Sequence, residues 1–332
     1  MKKTTVNKTC DKNLIGIALV LFTILVLPGC AIKSEEPIVA FKQVPGKLFI
    51  TIGGQPFATY IYEDSVITRP YFKDVKTPCG IQATRNHPPN ADDPQDHSTY
   101  HPGIWQSFGD INGNDYWRLK AKVEHEMFVQ QPEGGPGKGT FTVRNYYLSA
   151  KGNDRILAEL AQYTIRVQPS GYLLVMNSIF SSDKNDFTFG DQEEMGLGIR
   201  VNTGISVQYG QGHITNAEGM RDAKETWGKA SDWIDYSGKT GDNYSGMTIM
   251  PDPGNFRRSW YHARDYGFIA ANPFGRQAMK QGEKSAVTVK KGEEFQLGFG
   301  VLIYCNPDSE KTDIRKAYLD YLRVLEELKM TK

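Results

Sequence analysis

Three of the six histidines of this sequence lie close together in one polar segment. His87, His97 and His101 fall in the proline-rich stretch 86–102, which is too polar for a core strand and therefore predicts a surface loop. Loops on a rigid scaffold commonly carry binding and catalytic groups. Because imidazole titrates near neutral pH, we predict His101 as a candidate general acid and His97 as a substrate-binding residue.

Two tryptophans and two small polar residues follow this loop directly. An indole ring suits the CH face of a sugar, whereas carboxylate and amide groups hydrogen-bond to its hydroxyls. The sequence therefore predicts substrate-binding roles for Trp105, Asp110, Asn112 and Trp117. Under the alternative interpretation, the tryptophans are core anchors, and Asp110 and Asn112 only form a turn.

A second candidate segment is the acidic stretch 190–196, which contains Asp191, Glu193 and Glu194. Neighbouring carboxylates repel each other when both are ionised, and this repulsion can raise the pKa of one of them into a range useful for proton transfer. We predict Glu194 as a general base, with Asp191 and Arg200 holding substrate hydroxyls. A solvated surface turn gives the same sequence pattern, so that alternative stays open.

A third candidate segment, 260–267, places one histidine beside two charged residues among aromatic side chains. His262 is the second candidate for the general acid, by the same titration argument. Arg264 and Asp265 are predicted to bind ligand hydroxyls. Alternatively, these two residues pair with each other, and an exposed pair contributes only about 0–1 kcal/mol.

The spacing of His97 and His101 raises the alternative of a metal site, since residues four apart share one face of a helix. Pro102 and the polar surroundings argue against a regular helix at this point. The sequence contains no HExxH motif, paired CxxC motif, EF-hand loop or phosphate-binding glycine loop. We therefore predict no metal and no cofactor, and keep a metal-dependent enzyme built on the histidines as an alternative.

Short runs of β-branched and aromatic residues recur between residues 48 and 304, and most are bounded by Gly, Pro, Asn or Asp. Two glycines, 53 and 54, separate the first two runs and predict a hairpin. Strands are predicted at 48–52, 57–62, 140–148, 156–167, 172–180, 198–207, 247–250, 268–271, 286–289 and 295–304. This pattern is typical of an all-β protein, here a large antiparallel β-sandwich forming a single domain over residues 47–332.

One helix is expected, at residues 313–329, because apolar residues recur there at helical spacing. Asp313 can cap its first turn, since a short carboxylate accepts hydrogen bonds from exposed first-turn amides. A single terminal helix does not make an α/β protein, so we expect it to pack on the outside of a sheet.

The charge balance excludes one large class of partner. The chain has 39 basic and 38 acidic residues among 332, which leaves no electrostatic surplus for nucleic acid. Its aromatic content of 11% also excludes a disordered tail protein. The expected partner is a small-molecule or glycan ligand, and the sequence identifies no protein partner.

The first 29 residues have the features of a lipoprotein signal peptide. Four lysines precede or border an apolar run at 14–27, which is short for a membrane span but typical of a signal-peptide core. The run ends in Leu-Pro-Gly-Cys, which is similar to a bacterial lipobox and implies lipidation of Cys30. Residues 30–46 are polar and are predicted to be a tether. We therefore expect a protein anchored by lipid in the bacterial cell envelope, in the outer membrane on its periplasmic or surface side.

Two further cysteines, Cys79 and Cys305, lie in the predicted domain. An oxidising envelope would permit them to pair. The sequence favours two separate buried thiols, because nothing in it brings the two Cα atoms within bridging range.

With these segments in place, the chain resembles the soluble bacterial proteins labelled "methane oxygenase PmoA". The matching segments run in order across most of residues 48–304, at 69–72, 96–105, 108–117, 190–201, 233–238 and 262–275. The resemblance implies a fold similar to the galactose-mutarotase supersandwich, a shape that commonly handles carbohydrates. The methane and copper in the label have no counterpart in this sequence, which has one short apolar run and a polar remainder.

Together these observations predict an envelope lipoprotein that acts on a carbohydrate or modified sugar by general acid–base chemistry, as an epimerase or mutarotase, a lyase or a hydrolase. A non-catalytic carbohydrate-binding lipoprotein is the alternative. Both require that the histidine loop, the acidic segment and the segment around His262 line a single cavity.

Overall fold

Strand-forming residues dominate the computed structural model, which describes residues 1–5, 7, 35–152, 154–307 and 312–330. In chain order the strands are β1 (Val39–Val44), β2 (Lys47–Ile52), β3 (Gln55–Ile61), β4 (Tyr71–Lys73), β5 (Ile104–Phe108), β6 (Val123–Gly135), β7 (Lys138–Leu148), β8 (Arg155–Gln168), β9 (Gly171–Ser181), β10 (Phe187–Phe189), β11 (Met195–Arg200), β12 (Gly212–Asn216), β13 (Ile234–Thr240), β14 (Asn243–Pro251), β15 (Trp260–Arg264), β16 (Phe268–Asn272), β17 (Val287–Val289) and β18 (Glu294–Asn306). The helices are α1 (Asp222–Thr226) and α2 (Ile314–Met330), with a 3-10 turn at Thr203–Ile205.

These strands form two large sheets. The first sheet has the order β1-β2-β3-β4-β5-β11-β16-β15, and the second has the order β12-β13-β14-β18-β9-β8-β7-β6. A small separate pair joins β10 to β17. Every pairing between these strands is antiparallel. The predicted all-β antiparallel fold is therefore confirmed.

The main core lies between the two sheets. Along β11, Leu197 and Ile199 enter this core together with Phe299 and Val301 of β18. Successive residues of a strand point to opposite faces, so the residues between them face outward. The face of the first sheet opposite the core is thus free to carry a site.

The terminal helix α2 agrees with the prediction in position and packing. Asp313 Oδ1 accepts a 2.8 Å hydrogen bond from the backbone N–H of Lys316, which caps the first turn. The apolar side of the helix packs on the outer face of the second sheet, where Tyr321 joins a cluster with Leu302 and Tyr304. Among the described residues, no helix is long and apolar enough to cross a bilayer.

Two boundary predictions need correction. Strand β1, Val39–Val44, lies inside the range predicted as a tether and pairs with β2, so the sandwich begins before residue 47. The strand predicted at 198–207 ends at Arg200, because the side chain of Asn202 accepts a hydrogen bond from Gly204 N and starts the 3-10 turn. Cys30 and the apolar core of the predicted signal peptide lie outside the described residues.

The prediction for the two domain cysteines is wrong. Cys79 and Cys305 form a disulfide, with Cα atoms 6.0 Å apart. It joins a loop beyond β4 to the end of β18 and so ties the two large sheets together. The pairing depends on a contact between residues 226 positions apart, which no local pattern encodes.

Candidate functional site

One row of residues crosses four adjacent strands of the first sheet. The strand register places Gly198 of β11 opposite both Trp105 of β5 and Ala270 of β16, and Ala270 opposite His262 of β15. Residues paired across antiparallel strands share one face, here the face turned away from the main core. The two central residues of the row, Gly198 and Ala270, have small side chains or none. This leaves space between Trp105 and His262 for large side chains from nearby loops.

A cavity of about 120 Å³ opens on this face. It joins the three segments that the sequence singled out, the histidine loop, the acidic segment and the segment around His262. The lining residues are His97, Tyr100, His101, Trp117, Arg118, Glu194, His262, Tyr266 and Phe268.

Two buried arginines hold the histidine loop in place. The guanidinium of Arg85 donates hydrogen bonds of 2.8 and 2.7 Å to the backbone carbonyls of Pro94 and Asp96. Arg200 donates two 2.8 Å hydrogen bonds to the Asp96 carboxylate, which also lies 3.0 Å from Nδ1 of His97. The pairing by Arg200 thus orients His97 at the mouth of the cavity.

Stacked rings form one wall of the cavity. The ring of His101 lies parallel to that of His97, with centroids 4.6 Å apart, and to that of Phe268, at 4.4 Å. Only 4% of His101 is exposed, and its Nδ1 has no hydrogen-bond partner in the described part of the chain. Burial, with the charges of His97 and Arg200, holds the pKa of His101 well below the usual imidazole value.

Two carboxylates and His262 form the opposite wall. Glu194 is bound by the guanidinium of Arg118, and Oε2 of Glu193 lies 3.6 Å from Nη2 of Arg264 and 4.0 Å from Nε2 of His262. Burial raises the pKa of Glu193. The positive charge of Arg264 opposes this rise, whereas the negative charge of Glu194 adds to it. Burial, aided by Arg264, lowers the pKa of His262 to about 3.

These environments correct two chemical predictions. An acid role for His101 or His262 assumed an ordinary imidazole pKa, but both rings are neutral at pH 7 and can donate hydrogen bonds without carrying a positive charge. Within the acidic segment, the carboxyl with a raised pKa is that of Glu193, which was not predicted as a site residue.

Several predicted substrate-binding residues lie outside the cavity. Trp105 is fully buried beneath His101, as the core-anchor alternative proposed. Asp110 Oδ1 accepts a hydrogen bond from Gly113 N, and Asn112 Oδ1 accepts one from Thr188 N, so both residues stabilise turns. Trp117, by contrast, does line the cavity.

The remaining predicted binding residues support the site from behind or beside it. Asp191 accepts three hydrogen bonds, from the backbone N–H groups of Gln277, Ala278 and Ser285, and so anchors the neighbouring loop. Asp265 Oδ1 accepts one from Ala223 N at the start of α1. Arg200 pairs with Asp96, and Nη2 of Arg264 lies 3.6 Å from Oε2 of Glu193.

The structure adds site residues that the sequence analysis missed. Tyr100, Arg118, Tyr266 and Phe268 line the cavity, and each lies within a few residues of a predicted site residue. The alternation of aromatic and charged residues around Trp117 was the available signal for Arg118. Nothing in the local pattern marks Phe268, which reads as an ordinary strand residue.

The histidine loop does not assemble the metal site considered as an alternative. His87 packs against Tyr71, with ring centroids 5.6 Å apart, and does not line the cavity. Within the described ranges, the group of three donors close enough to share an ion consists of Glu193, Glu194 and His262.

The fold and the site define a class of protein, a two-sheet antiparallel β-sandwich with a small aromatic and ionisable pocket on the outer face of one sheet. The chain belongs to the family of unknown function DUF6807, whose profile matches residues 47–318. Neither this family match nor the similar solved structures support the name methane oxygenase PmoA. No curated protein sequence matches the chain.

Several solved structures are similar to this chain at low sequence identity. The galactosidase domain of the α-galactosidase–sucrose kinase AgaSK is 10% identical, with 81% of this chain and 42% of that one covered at a TM-score of 0.44. The GH36 α-galactosidase AgaA from Geobacillus stearothermophilus is 10% identical, with 80% and 40% covered at 0.40. A galactose mutarotase-like protein from Lactobacillus casei ATCC 334 is 10% identical, with 80% and 100% covered at 0.36.

The chain spans about two fifths of the length of both galactosidases. A shared fold does not assign a function, since one fold hosts many chemistries. Function must therefore be inferred from the site.

Proposed function

We propose that the cavity on the first sheet binds one sugar unit of a glycan or a free sugar, and that the protein acts on this ligand. One observation carries the proposal. His97 and His101, Glu194 and His262 come from three distant segments and meet in a single cavity with aromatic walls. A set of convergent polar groups in an aromatic-lined recess is the usual form of a small-molecule site.

The lining suits a sugar in polarity. The rings of Tyr266 and Phe268 offer apolar faces for the CH face of a pyranose. Arg118 and Glu194 offer planar donors and acceptors for its hydroxyls. At about 120 Å³ the cavity is small, so a sugar would enter it with part of one ring and the rest of the ligand would extend into solvent.

The geometry supports proton abstraction as the chemical step. Glu194 accepts the proton of a sugar hydroxyl, and the oxyanion that remains accepts hydrogen bonds from the neutral imidazole N–H of His101 or His262. Arg118, paired with Glu194, fixes the carboxylate in position. The proposed activity is thus an isomerisation or a bond cleavage that begins at a hydroxyl of the bound sugar.

The protein is proposed to work in the bacterial cell envelope, anchored by a lipid on Cys30. The support is the lysine-rich start, the apolar run and the lipobox-like ending, together with the Cys79–Cys305 disulfide, which suits an oxidising compartment. Replacing Cys30→Ser is expected to release the protein from the membrane fraction of expressing cells. Retention of this variant in the membrane fraction would contradict lipid anchoring.

The test of sugar binding is a glycan-array screen followed by calorimetry on each hit. Tyr100→Ala removes an aromatic ring from the cavity lining, and it is expected to weaken binding by about tenfold, which corresponds to about 1.4 kcal/mol. The matched control is Tyr209→Ala, which removes an exposed tyrosine that does not line the cavity. Equal effects of the two substitutions would contradict the assignment of this cavity.

The test of catalysis is product detection on the ligand that binds. Glu194→Gln keeps the side-chain volume, and it is expected to lower kcat by about 10²–10⁴-fold while binding is retained. Glu133→Gln, at an exposed carboxylate of β6, is the control. A wild-type protein that binds sugar and yields no product would instead be a carbohydrate-binding protein without activity.

A further inference from the structure

His262 is buried in an unusual electrostatic position. It is 4% exposed, and neither ring nitrogen has a hydrogen-bond partner of normal geometry in the part of the chain described, although the backbone carbonyl of Glu193 lies nearby. Leaving a buried polar group unpaired costs about 1–3 kcal/mol. Such a group in a native structure therefore indicates a missing partner, such as an ion or a water.

The groups that face His262 are two carboxylates. One oxygen of Glu193, one oxygen of Glu194 and one ring nitrogen of His262 all lie within 4.8 Å of one another. An ion bound about 2.0–2.2 Å from each donor holds its ligands within roughly 4 Å of one another. The donors would therefore have to approach one another by about 1 Å or less when an ion binds.

The two arginines beside these carboxylates leave donors available. Arg118 contacts Oε2 of Glu194 and leaves Oε1 for an ion. Nη2 of Arg264 lies 3.6 Å from Oε2 of Glu193, which is beyond hydrogen-bond distance, and the same oxygen lies 4.0 Å from Nε2 of His262. An ionised carboxylate accepts through both oxygens. Groups that hydrogen-bond to ligating carboxylates commonly orient them toward a metal, and Arg118 is placed to do so.

We propose that Glu193, Glu194 and His262 bind one divalent transition-metal ion, of which Zn²⁺ is the probe of choice. An imidazole nitrogen in the donor set favours such an ion over Ca²⁺ and Mg²⁺, which prefer oxygen ligands throughout. Three protein ligands leave positions open for water or substrate, the arrangement typical of catalytic sites.

This inference rests on the proposed function only for the role of the ion. Because the donors line the sugar cavity or border it, an ion there would contact a sugar hydroxyl directly and lower the pKa of that hydroxyl or of a bound water. In the metal-bound protein Glu194 and His262 would hold the ion, and the ion would take over the activation of the hydroxyl that the metal-free mechanism assigns to Glu194. Metal binding itself is independent of any sugar and is measured without one.

The test uses the full chain, purified in detergent without chelators, stripped of metal and titrated with ZnCl₂ by calorimetry. One Zn²⁺ per chain is expected. Glu193→Gln and His262→Gln are each expected to weaken binding by at least about tenfold, since the loss of even an outer-shell partner costs about 10–100-fold. Circular dichroism checks that each variant is folded, and the half-exposed Glu193 provides a variant that leaves the packed interior untouched.

The matched control is His213→Gln, because His213 is a partly exposed histidine 3.4 Å from Asp222 and does not belong to the donor group of Glu193, Glu194 and His262. It is expected to leave Zn²⁺ binding unchanged. Absence of saturable binding to the wild-type chain, or equal binding by wild type and Glu193→Gln, would overturn the proposal. Sugar binding by the metal-free chain is measured in parallel, so Zn²⁺ binding without sugar binding would reject the proposed function alone, and the reverse would reject the metal site alone.

Discussion

The guanidinium of Arg200 pairs with the carboxylate of Asp96 through two parallel 2.8 Å hydrogen bonds, across 104 positions of sequence. Arg200 is 1% exposed, so this pair fixes the histidine loop to strand β11 from within the protein. Bidentate pairs of this kind are among the strongest and most directional contacts that side chains make. The position of His97 at the cavity therefore depends on a contact outside the cavity.

The first prediction concerns Asp96→Asn. The substitution leaves the buried Arg200 without its counter-charge, and breaking a buried pair in this way costs about 3 kcal/mol or somewhat less here, since 31% of the Asp96 side chain is exposed. Urea unfolding at pH 7 measures the loss. Asp92→Asn, at an exposed aspartate of the same loop, is expected to change the free energy of unfolding by less than about 0.5 kcal/mol.

The same pair has a pH signature. Burial opposes ionisation of Asp96, but hydrogen bonds from Arg200 and His97 outweigh it and lower the pKa of this carboxyl. A depressed carboxyl pKa contributes stability above the unfolded value of about 4, and this contribution is lost as the pH falls toward the folded value. The stability gap between wild type and Asp96→Asn should shrink as the pH falls below about 4, and a gap that stays constant down to about pH 2 would contradict the assignment.

The second prediction concerns Gly198→Ala at the centre of the outer-face row. A Cβ atom at this position would lie 2.7 Å from a ring carbon of Trp105 and 2.8 Å from one of Trp117. Overpacking of this kind costs about 1–3 kcal/mol. Because Trp117 lines the cavity, sugar affinity should fall together with the melting temperature, which calorimetry and circular dichroism would record.

Gly135→Ala is the matched control for this glycine. Its added Cβ would approach nothing closer than 3.9 Å, at the carbonyl oxygen of Lys138. We expect it to leave sugar affinity unchanged. Unaltered stability and affinity in Gly198→Ala would show that the two tryptophans can move apart freely.

The sequence predicted the architecture well because the signals for it are local. The strand runs, the Gly53-Gly54 hairpin and the Asp313 helix cap each depend on residues a few positions apart. The three candidate segments were also recognised by residue type, and the structure brings His97, Glu194 and His262 to one cavity.

The individual roles were harder to predict, since they depend on contacts between distant residues. Trp105 is of a residue type that stacks on sugars. It is buried instead, because its partner on the adjacent strand, Gly198, has no side chain and leaves room for the indole ring. Asp191 was predicted to bind substrate hydroxyls, but its carboxylate accepts three backbone hydrogen bonds from a loop about 90 residues later in the sequence. The pKa values of His101 and His262 follow from burial, which the sequence alone does not specify.

The third prediction concerns the buried carboxyl of Asp235 in strand β13. Burial raises its pKa to about 6, even though it accepts hydrogen bonds from the hydroxyls of Ser237, Thr248 and Tyr304. Between the unfolded value of about 4 and the folded value of about 6, the native state binds more protons than the unfolded state. The contribution of Asp235 to stability therefore falls as the pH rises through this window and is constant above it.

Asp235→Asn should remove this dependence. The difference in unfolding free energy between wild type and variant is expected to change by about 3 kcal/mol between pH 4 and 7, because one pKa unit corresponds to about 1.4 kcal/mol. Urea unfolding at several pH values measures it, with the exposed Asp183→Asn as control. Parallel pH profiles for wild type and Asp235→Asn would refute a raised pKa at this position.

The fourth prediction concerns the disulfide between Cys79 and Cys305. The bond closes a loop of 226 residues, and in the chain-entropy treatment a loop of this length stabilises the folded state by about 5 kcal/mol, as an upper bound. The double variant Cys79→Ser, Cys305→Ser should lose a large part of this stability in urea unfolding. Reductant should destabilise the wild type to a similar extent, since Cys79 is exposed, and should leave the double variant unchanged.

Non-reduced digestion should release the peptides that contain Cys79 and Cys305 as one linked species, and their recovery as separate peptides from oxidised protein would contradict the pairing.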